Sequence, residues 1–167
     1  MTAEDIIRLL HLTPLEPEGG FFNEVYRSTA SLSANILPAR YSGTRPLATA
    51  IYYLFTPKTF SAMHRVRGDE IFHFYLGDPV EQIQLFPDGS GAIFTCGTDL
   101  KNGQRPLGSV LGNVWQGSRL KPGGTFALMG TTMSPGFHRD DFELGQRDGL
   151  IRQYPAYAEY IRYLTRK

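Results

Sequence analysis

The sequence predicts an all-β fold, a barrel or double sheet with one short helix at each end. Three observations carry this reading. Short runs of alternating residues recur at intervals of about ten residues. Clusters of Gly, Pro, Asn and Asp separate them. Only the two ends of the chain show apolar residues at helical spacing. A chain of 167 residues, 41% hydrophobic and 20% charged, is also long enough to bury a sizeable core as one domain, residues 1–167.

Thr2 followed by Asp5 has the form of a helix cap, and Ile6, Ile7, Leu9 and Leu10 then recur helically, so residues 4–11 are expected as a short amphipathic helix. His11 falls where that helix should end, a position that suits a cation. After a Pro- and Gly-rich turn, residues 21–28 alternate as a strand. Phe22, Glu24 and Tyr26 lie on one side, Asn23, Val25 and Arg27 on the other. Residues 30–46 read as an irregular crossing. Residues 47–55 are β-branched and aromatic on both faces, which asks for a cover on each side, from another chain or from the N-terminal strand.

Beyond the central stretch, residues 80–86 form a strand with Gln82 and Gln84 on one face and Ile83 and Leu85 on the other. A Pro-Asp-Gly-Ser-Gly turn leads back into residues 92–96. Residues 99–106 are a polar loop, 110–116 and 125–133 are strands, and 150–164 are a C-terminal helix. In that helix Pro155 sits in the first turn, and the stripe Tyr157, Tyr160, Ile161 and Leu164 packs on the barrel.

Charge and composition exclude several functions. The net charge is +1 and the basic residues are scattered, so no nucleic-acid footprint is present. No apolar run approaches the roughly 20 residues of a membrane span, and the start Met1-Thr-Ala-Glu-Asp is acidic where a signal peptide is basic. A cytoplasmic protein that binds neither nucleic acid nor membrane is therefore expected. Cys96 is the only cysteine, so an intrachain disulfide and a multi-cysteine metal site are both ruled out. With no cation nearby in sequence to lower its pKa, it reads as a small buried hydrophobe.

The chemistry concentrates in residues 61–79, SAMHRVRGDEIFHFYLGDP, a β-hairpin turning at Gly68-Asp69. Alternation puts Glu70, Phe72, Phe74 and Leu76 on one face and Ile71, His73 and Tyr75 on the other. Glu70 is thus a carboxylate on an aromatic face. A buried charge costs several kcal/mol unless it is paired, hydrogen-bonded, metal-bound or protonated, so this residue calls for a role. His64 and Val66 have the parity to look at the same space.

His64, Val66, Glu70 and Gly77 together give H-x-V-x3-E-x6-G, which resembles the first cupin motif with Val66 in place of its second histidine. The subgroup known as cupin_5 or DUF985 is a closer resemblance. Its blocks are similar to residues 18–28 (EGGFFNEVYRS), 49–52 (TAIY), the hairpin itself, 114–116 (VWQ), 130–137 (GTTMSPGF) and 141–144 (DFEL). The resemblance implies a cupin double-stranded β-helix, an RmlC-like jelly-roll barrel, and a homodimer. The block around Glu24 and Arg27 would either line a site or pair at a subunit contact. His138 and Arg139 stand where the family usually has an aspartate and an aromatic, in what reads as a loop at the barrel mouth.

A complete cupin centre offers a metal three histidines and a glutamate. Here the resemblance supplies His64, Glu70 and Gln116, with Val66 inert, and an amide oxygen is a poor ligand for first-row transition metals. No cofactor is therefore expected, a divalent metal on His64, Glu70 and Gln116 being the alternative. His73 would join them only if a bulge turned it inward. Related metal-free epimerases use a histidine base and a tyrosine acid. His64, Glu70 and His73 are on this reading the catalytic candidates, with Tyr26, Tyr52 or Tyr75 as the acid. Tyr52, Phe72, Trp115, Gln116 and Phe137 are the ligand-binding candidates, the last of these and Trp115 for stacking a flat ring. The expected function is the binding of a small metabolite in the barrel, as a metal-independent isomerase or epimerase acting on a sugar-nucleotide or related carbonyl compound. A non-catalytic small-molecule binding or storage protein and a metal-dependent cupin oxygenase are the alternatives.

Overall fold

The computed structural model describes residues 1–166. Thirteen strands run in chain order: β1 (Thr13–Pro14), β2 (Phe21–Arg27), β3 (Ser31–Leu32), β4 (Arg45–Pro46), β5 (Thr49–Phe55), β6 (Phe60–Val66), β7 (Glu70–Gly77), β8 (Val80–Leu85), β9 (Gly91–Cys96), β10 (Leu107–Val110), β11 (Trp115–Leu120), β12 (Ala127–Met133) and β13 (Phe142–Leu144). Three short helices, α1 (Ala3–Leu9), α2 (Arg147–Gln153) and α3 (Ala158–Tyr163), lie at the ends of the chain. One antiparallel sheet has the order β1-β2-β5-β12-β7-β10 and the other β13-β6-β11-β8-β9, with β3 and β4 as a small separate hairpin. The two sheets close on each other as a jelly-roll barrel. No helix is long and apolar enough to cross a membrane among the described residues.

The space between the sheets is divided along its length. Tyr53, Phe55, Phe72, Val80, Cys96, Leu120, Ala127 and Met129 fill one end with a close-packed core. The other end, at the starts of β5 and β7 and the ends of β6 and β12, stays open. Cys96 is fully buried, and burial pushes its thiol up to about 12, so it is an inert core residue.

Both outer faces carry helices. Thr2 caps α1 through the reciprocal bonds Asp5 N–H to Thr2 Oγ1 and Thr2 N–H to Asp5 Oδ2. That helix ends at Leu9, and His11, expected to be its last residue, instead has φ +53 and turns the chain. Ile6 and Leu12 then cover Leu54 and Leu128. The cover expected over residues 47–55 is therefore the N-terminal helix, because β2 lies beside β5 in the same sheet. Ile71, Tyr75 and Leu107 on that face remain uncovered, 39%, 49% and 57% exposed.

The second sheet is covered by the C-terminal helices, whose Leu150, Tyr154, Ile161 and Leu164 pack on Met63, Ile83, Leu85 and Trp115. The single helix expected over 150–164 is two helices, broken at Tyr154-Pro155 where the proline has no N–H to continue the ladder. The strand expected over 110–116 is likewise divided. Leu111 to Val114 form a turn between β10 and β11, with Asn113 at φ +67.

Three register shifts reset the alternation of side chains. Val25 is the extra residue of β2, since Glu24 pairs with Ile51 and Tyr26 with Ala50. In β6, Gln116 faces His64 while Ser118 faces Ser61, so β6 carries one residue more than β11. In β7, Leu128 faces Leu76 while Met129 faces Phe74, which makes Tyr75 the extra residue. Leu76, expected on the inner face, consequently turns out to 37% exposure.

Candidate functional site

The open end of the barrel holds a cavity of about 80 Å³. Leu15, Phe22, Ile51, Val66, Met133 and Phe137 make its apolar wall, and Glu18, Glu24, His64, Glu70, Thr49 and Thr131 supply polar groups. Each reaches it for a local reason. Glu70 opens β7 opposite Met133 of β12 and points inward in the same phase as Phe72. His64 is brought to the same space by the β6 bulge, which lets Ser61 and His64, three residues apart, both face the interior.

The bulge also sets the state of the imidazole. His64 Nδ1 lies 2.8 Å from the Ala62 carbonyl oxygen. A carbonyl only accepts, so Nδ1 carries a proton, and the neutral tautomer compatible with this contact has its lone pair on Nε2. The ring stacks on Phe142 at 5.3 Å between centroids and is 3% exposed. Nε2 is 3.9 Å from Glu18 Oε2, beyond hydrogen-bond reach.

Glu18 arrives from the β1–β2 connection. Gly19 and Gly20, at φ +115 and +74, carry the chain against Phe60 and Tyr53 where a Cβ has no room. Its Oε1 accepts from Ser61 Oγ at 2.7 Å and from the Tyr53 hydroxyl at 2.9 Å. Burial, together with the neighbouring Glu18 charge, holds the Tyr53 phenol well above its usual range.

Glu70 is 8% exposed. Burial pushes its carboxyl above the usual value; His64 draws it back, Glu18 pushes it further up, and hydrogen bonds from Gln116 and Thr131 lower it. Gln116, 1% exposed, donates Nε2 to Glu70 Oε2 at 2.8 Å. A row of glutamines fixes that orientation. Gln84 Nε2 donates to the Ser109 carbonyl at 2.9 Å and to Gln82 Oε1 at 3.4 Å; Gln82 Nε2 donates to Gln116 Oε1 at 3.4 Å. Because the Ser109 carbonyl can only accept, the row runs one way and delivers an N–H to Glu70.

That polarity argues against a metal on His64, Glu70 and Gln116. The Gln116 oxygen already accepts from Gln82, and its nitrogen faces the glutamate. Among the described residues no three His, Cys, Asp or Glu side chains converge to hold a metal ion. The donor set does not fit one.

Other expected site residues lie elsewhere. His73 is on the outer face of its sheet, Nε2 3.1 Å from Thr132 Oγ1 and its ring stacked on Tyr75. A bulge does occur in β7, but at Tyr75, too late to turn His73 inward. Tyr52 packs edge-on against Tyr75 on the same outer face, and Tyr26 is 54% exposed, so none of the three expected acids reaches the cavity. Trp115 lies under the C-terminal helices with the Arg65 guanidinium over its ring at 4.4 Å. Phe72 is inside, within the packed core. Phe137 does line the cavity, held by its N–H to Thr49 Oγ1 at 2.9 Å.

The mouth has its own architecture. Glu24 and Arg27, placed on opposite sides by strict alternation, form a bidentate pair at 2.8 and 2.6 Å because Val25 is bulged, and Arg27 also donates to the Phe137 carbonyl. Arg45 and Asp141, 1% and 3% exposed at their side chains, form a second bidentate pair at 2.6 Å. It ties the β3–β4 hairpin to residues 138–141, the loop expected at the mouth. Glu18, Tyr53, Ser61, Gln82 and Gln84 were not among the expected site residues.

The family model of Cupin_5, described as cupin superfamily (DUF985), matches residues 4–145. The uncharacterized protein YML079W of Saccharomyces cerevisiae is 31% identical over 132 residues, 74% of this chain and 66% of its own length, so the match spans just under two thirds of that protein. Among solved structures, protein SO0799 from Shewanella oneidensis superposes with TM-score 0.87 at 32% identity, covering 99% of this chain and 98% of that one. A hypothetical protein from Leishmania major gives TM-score 0.91 at 27% identity over the whole of both chains.

Proposed function

The chain belongs to the Cupin_5 (DUF985) family of the cupin superfamily, and from that premise we propose that its barrel binds a small carbonyl compound and moves a proton beside the carbonyl without a metal. The observation that carries this is one cavity shared by an imidazole with a free Nε2 and a carboxyl raised by burial. Proton transfer next to a carbonyl needs a base poised near neutral pH and a donor for the developing enolate oxygen. His64 Nε2 takes the α-proton. The C–H pair moves into the carbon skeleton, the carbonyl oxygen becomes an enolate, and protonated Glu70 gives it a proton. Return of a proton to carbon completes an isomerisation or epimerisation.

The cavity limits the reacting end. About 80 Å³ is well below the roughly 300–1,000 Å³ of sites for drug-sized ligands, so only a few heavy atoms enter. A nucleotide would lie outside it, and the small carbonyl head is the part this reading assigns to His64 and Glu70. The uncovered face bearing Ile71, Tyr75 and Leu107 supports association of two copies of the chain.

The test is deuterium wash-in at carbon. A panel of small ketones, oxo acids and ketose phosphates is incubated with the protein in D2O and followed by NMR. Exchange catalysed by the native chain and lost in His64→Ala and Glu70→Gln supports the reading. Binding without exchange makes the protein a storage or sensing barrel, and contradicts it.

A further inference from the structure

We infer that the compound bound at this site carries an anionic oxygen group, carboxylate or phosphate, and that Arg139 holds it in a second chamber outside the reacting cavity. The inference rests on the reading of the inner cavity given above and adds the class of ligand.

The second chamber, about 280 Å³, is lined by Leu15, Glu16, Pro17, Glu18, Phe137, Arg139 and Phe142. Leu15, Glu18 and Phe137 also line the inner cavity, so the two spaces adjoin through shared walls. Phe142 provides a further link, since its ring stacks on that of His64. On this inference a molecule whose head meets His64 and Glu70 has its tail in this chamber.

The charges of the chamber are mostly accounted for. Glu16 pairs with Arg166 at 3.1 Å. Glu18 accepts from Ser61 and Tyr53. At the rim Arg27 is committed to Glu24 and Arg45 to Asp141, while His138 faces Asp140 at 3.5 Å. Arg139 alone has no ion pair and no side-chain hydrogen bond among the described residues, yet it lines the chamber. A guanidinium offers a planar fork of donors that fits a carboxylate or phosphate edge. The segment bearing it is anchored by the buried Arg45–Asp141 pair, so the cation sits on a fixed support. Apolar walls from Leu15, Pro17, Phe137 and Phe142 leave the intervening part of the ligand short and uncharged.

The test compares two anionic probes with their neutral counterparts on the full chain at low salt. Levulinate is set against 5-hydroxy-2-pentanone, and dihydroxyacetone phosphate against dihydroxyacetone, with binding read by calorimetry and ligand-detected NMR. At least one anion should bind about tenfold more tightly than its neutral partner, as one charge-assisted hydrogen-bond fork supplies. The pair that shows the difference identifies carboxylate or phosphate. In Arg139→Gln the preference should vanish while the neutral compound binds unchanged, and Arg139→Lys should restore part of it. Equal affinity of anion and neutral compound for the native chain, or an undiminished preference in Arg139→Gln, overturns the inference, as does failure of both anions to bind. Deuterium exchange on the neutral ketones separates the two levels. If it persists, only the anion chamber is refuted; if it too is absent, the proton-transfer reading falls with it.

Discussion

Gln116 Nε2 donates to Glu70 Oε2 at 2.8 Å across the barrel, and the same amide accepts from Gln82 through its oxygen. One side chain thereby joins the catalytic candidate to a polar row that ends at the Ser109 carbonyl. In a cupin metal centre this position would supply a ligand. Here it supplies a donor to a buried carboxyl whose pKa burial raises.

Stability should carry the signature of that acid. A carboxyl whose folded pKa lies above its unfolded value binds protons preferentially in the folded state, so its contribution is fully present below the ordinary value near 4.5 and is lost as pH rises through the raised folded value. Glu70→Gln removes the titration. Melting curves of the native chain should fall across that window relative to the variant, and the variant's advantage should stop growing above it; parallel curves at every pH would contradict this.

The metal account predicts indifference. Added Mn2+, Ni2+, Zn2+ or Fe2+ should leave the melting temperature of the native chain within about 1 °C, since a ligand that binds the folded state at 100 times its Kd adds about 2.7 kcal/mol. The double variant Val66→His, Gln116→His restores the histidines of the motif this chain resembles. It should gain a metal-dependent rise; a comparable rise in the native protein would refute the donor-set argument.

His73 and Trp115 serve as contrasts. Each lies outside the cavity, so His73→Ala and Trp115→Phe should change ligand affinity and exchange rate by less than about twofold, as distant substitutions do. His64→Ala should lower exchange by about a hundredfold or more, the usual weight of a general base. A large loss on removing His73 would mean that the outer face carries the chemistry.

The Arg45–Asp141 pair supports the mouth. Asp141→Ala strands a buried guanidinium and should cost about 3–5 kcal/mol in urea unfolding, whereas Arg45→Met with Asp141→Leu should recover most of that loss. A loss below about 1 kcal/mol in the single variant would show that the pair is solvated.

Much of this site was legible in residue spacing and side-chain alternation. The resemblance to the cupin motifs picked out His64, Glu70 and Gln116, and parity put Glu70 inward beside Phe72. Parity fails wherever a strand gains a residue, and three such additions change the picture. Val25 brings Glu24 to Arg27, the β6 bulge turns both Ser61 and His64 inward, and Tyr75 sends Leu76 outward. Alternation in 80–86 separates the glutamines from the aliphatics but cannot say which face is inside. Only the C-terminal helices decide that, by covering Ile83 and Leu85. Glu18 stands in a Pro- and Gly-rich turn with no periodicity, and its approach to Tyr53 and Ser61 comes from tertiary packing alone. His73, Tyr52 and Trp115 are aromatic residues near the motifs in sequence, and nearness in sequence does not give them a common face.

The most direct test is the titration of Glu70 itself, followed by its side-chain carboxyl 13C shift in the native chain and two variants. Its pKa should lie above the ordinary glutamate value, rise further in His64→Ala, which removes the imidazole that draws it down, and fall in Glu18→Gln, where a neighbouring negative charge is removed. A Glu70 that titrates near 4.5 and moves in neither variant would mean that the three side chains do not share one cavity, and would contradict the account at its centre.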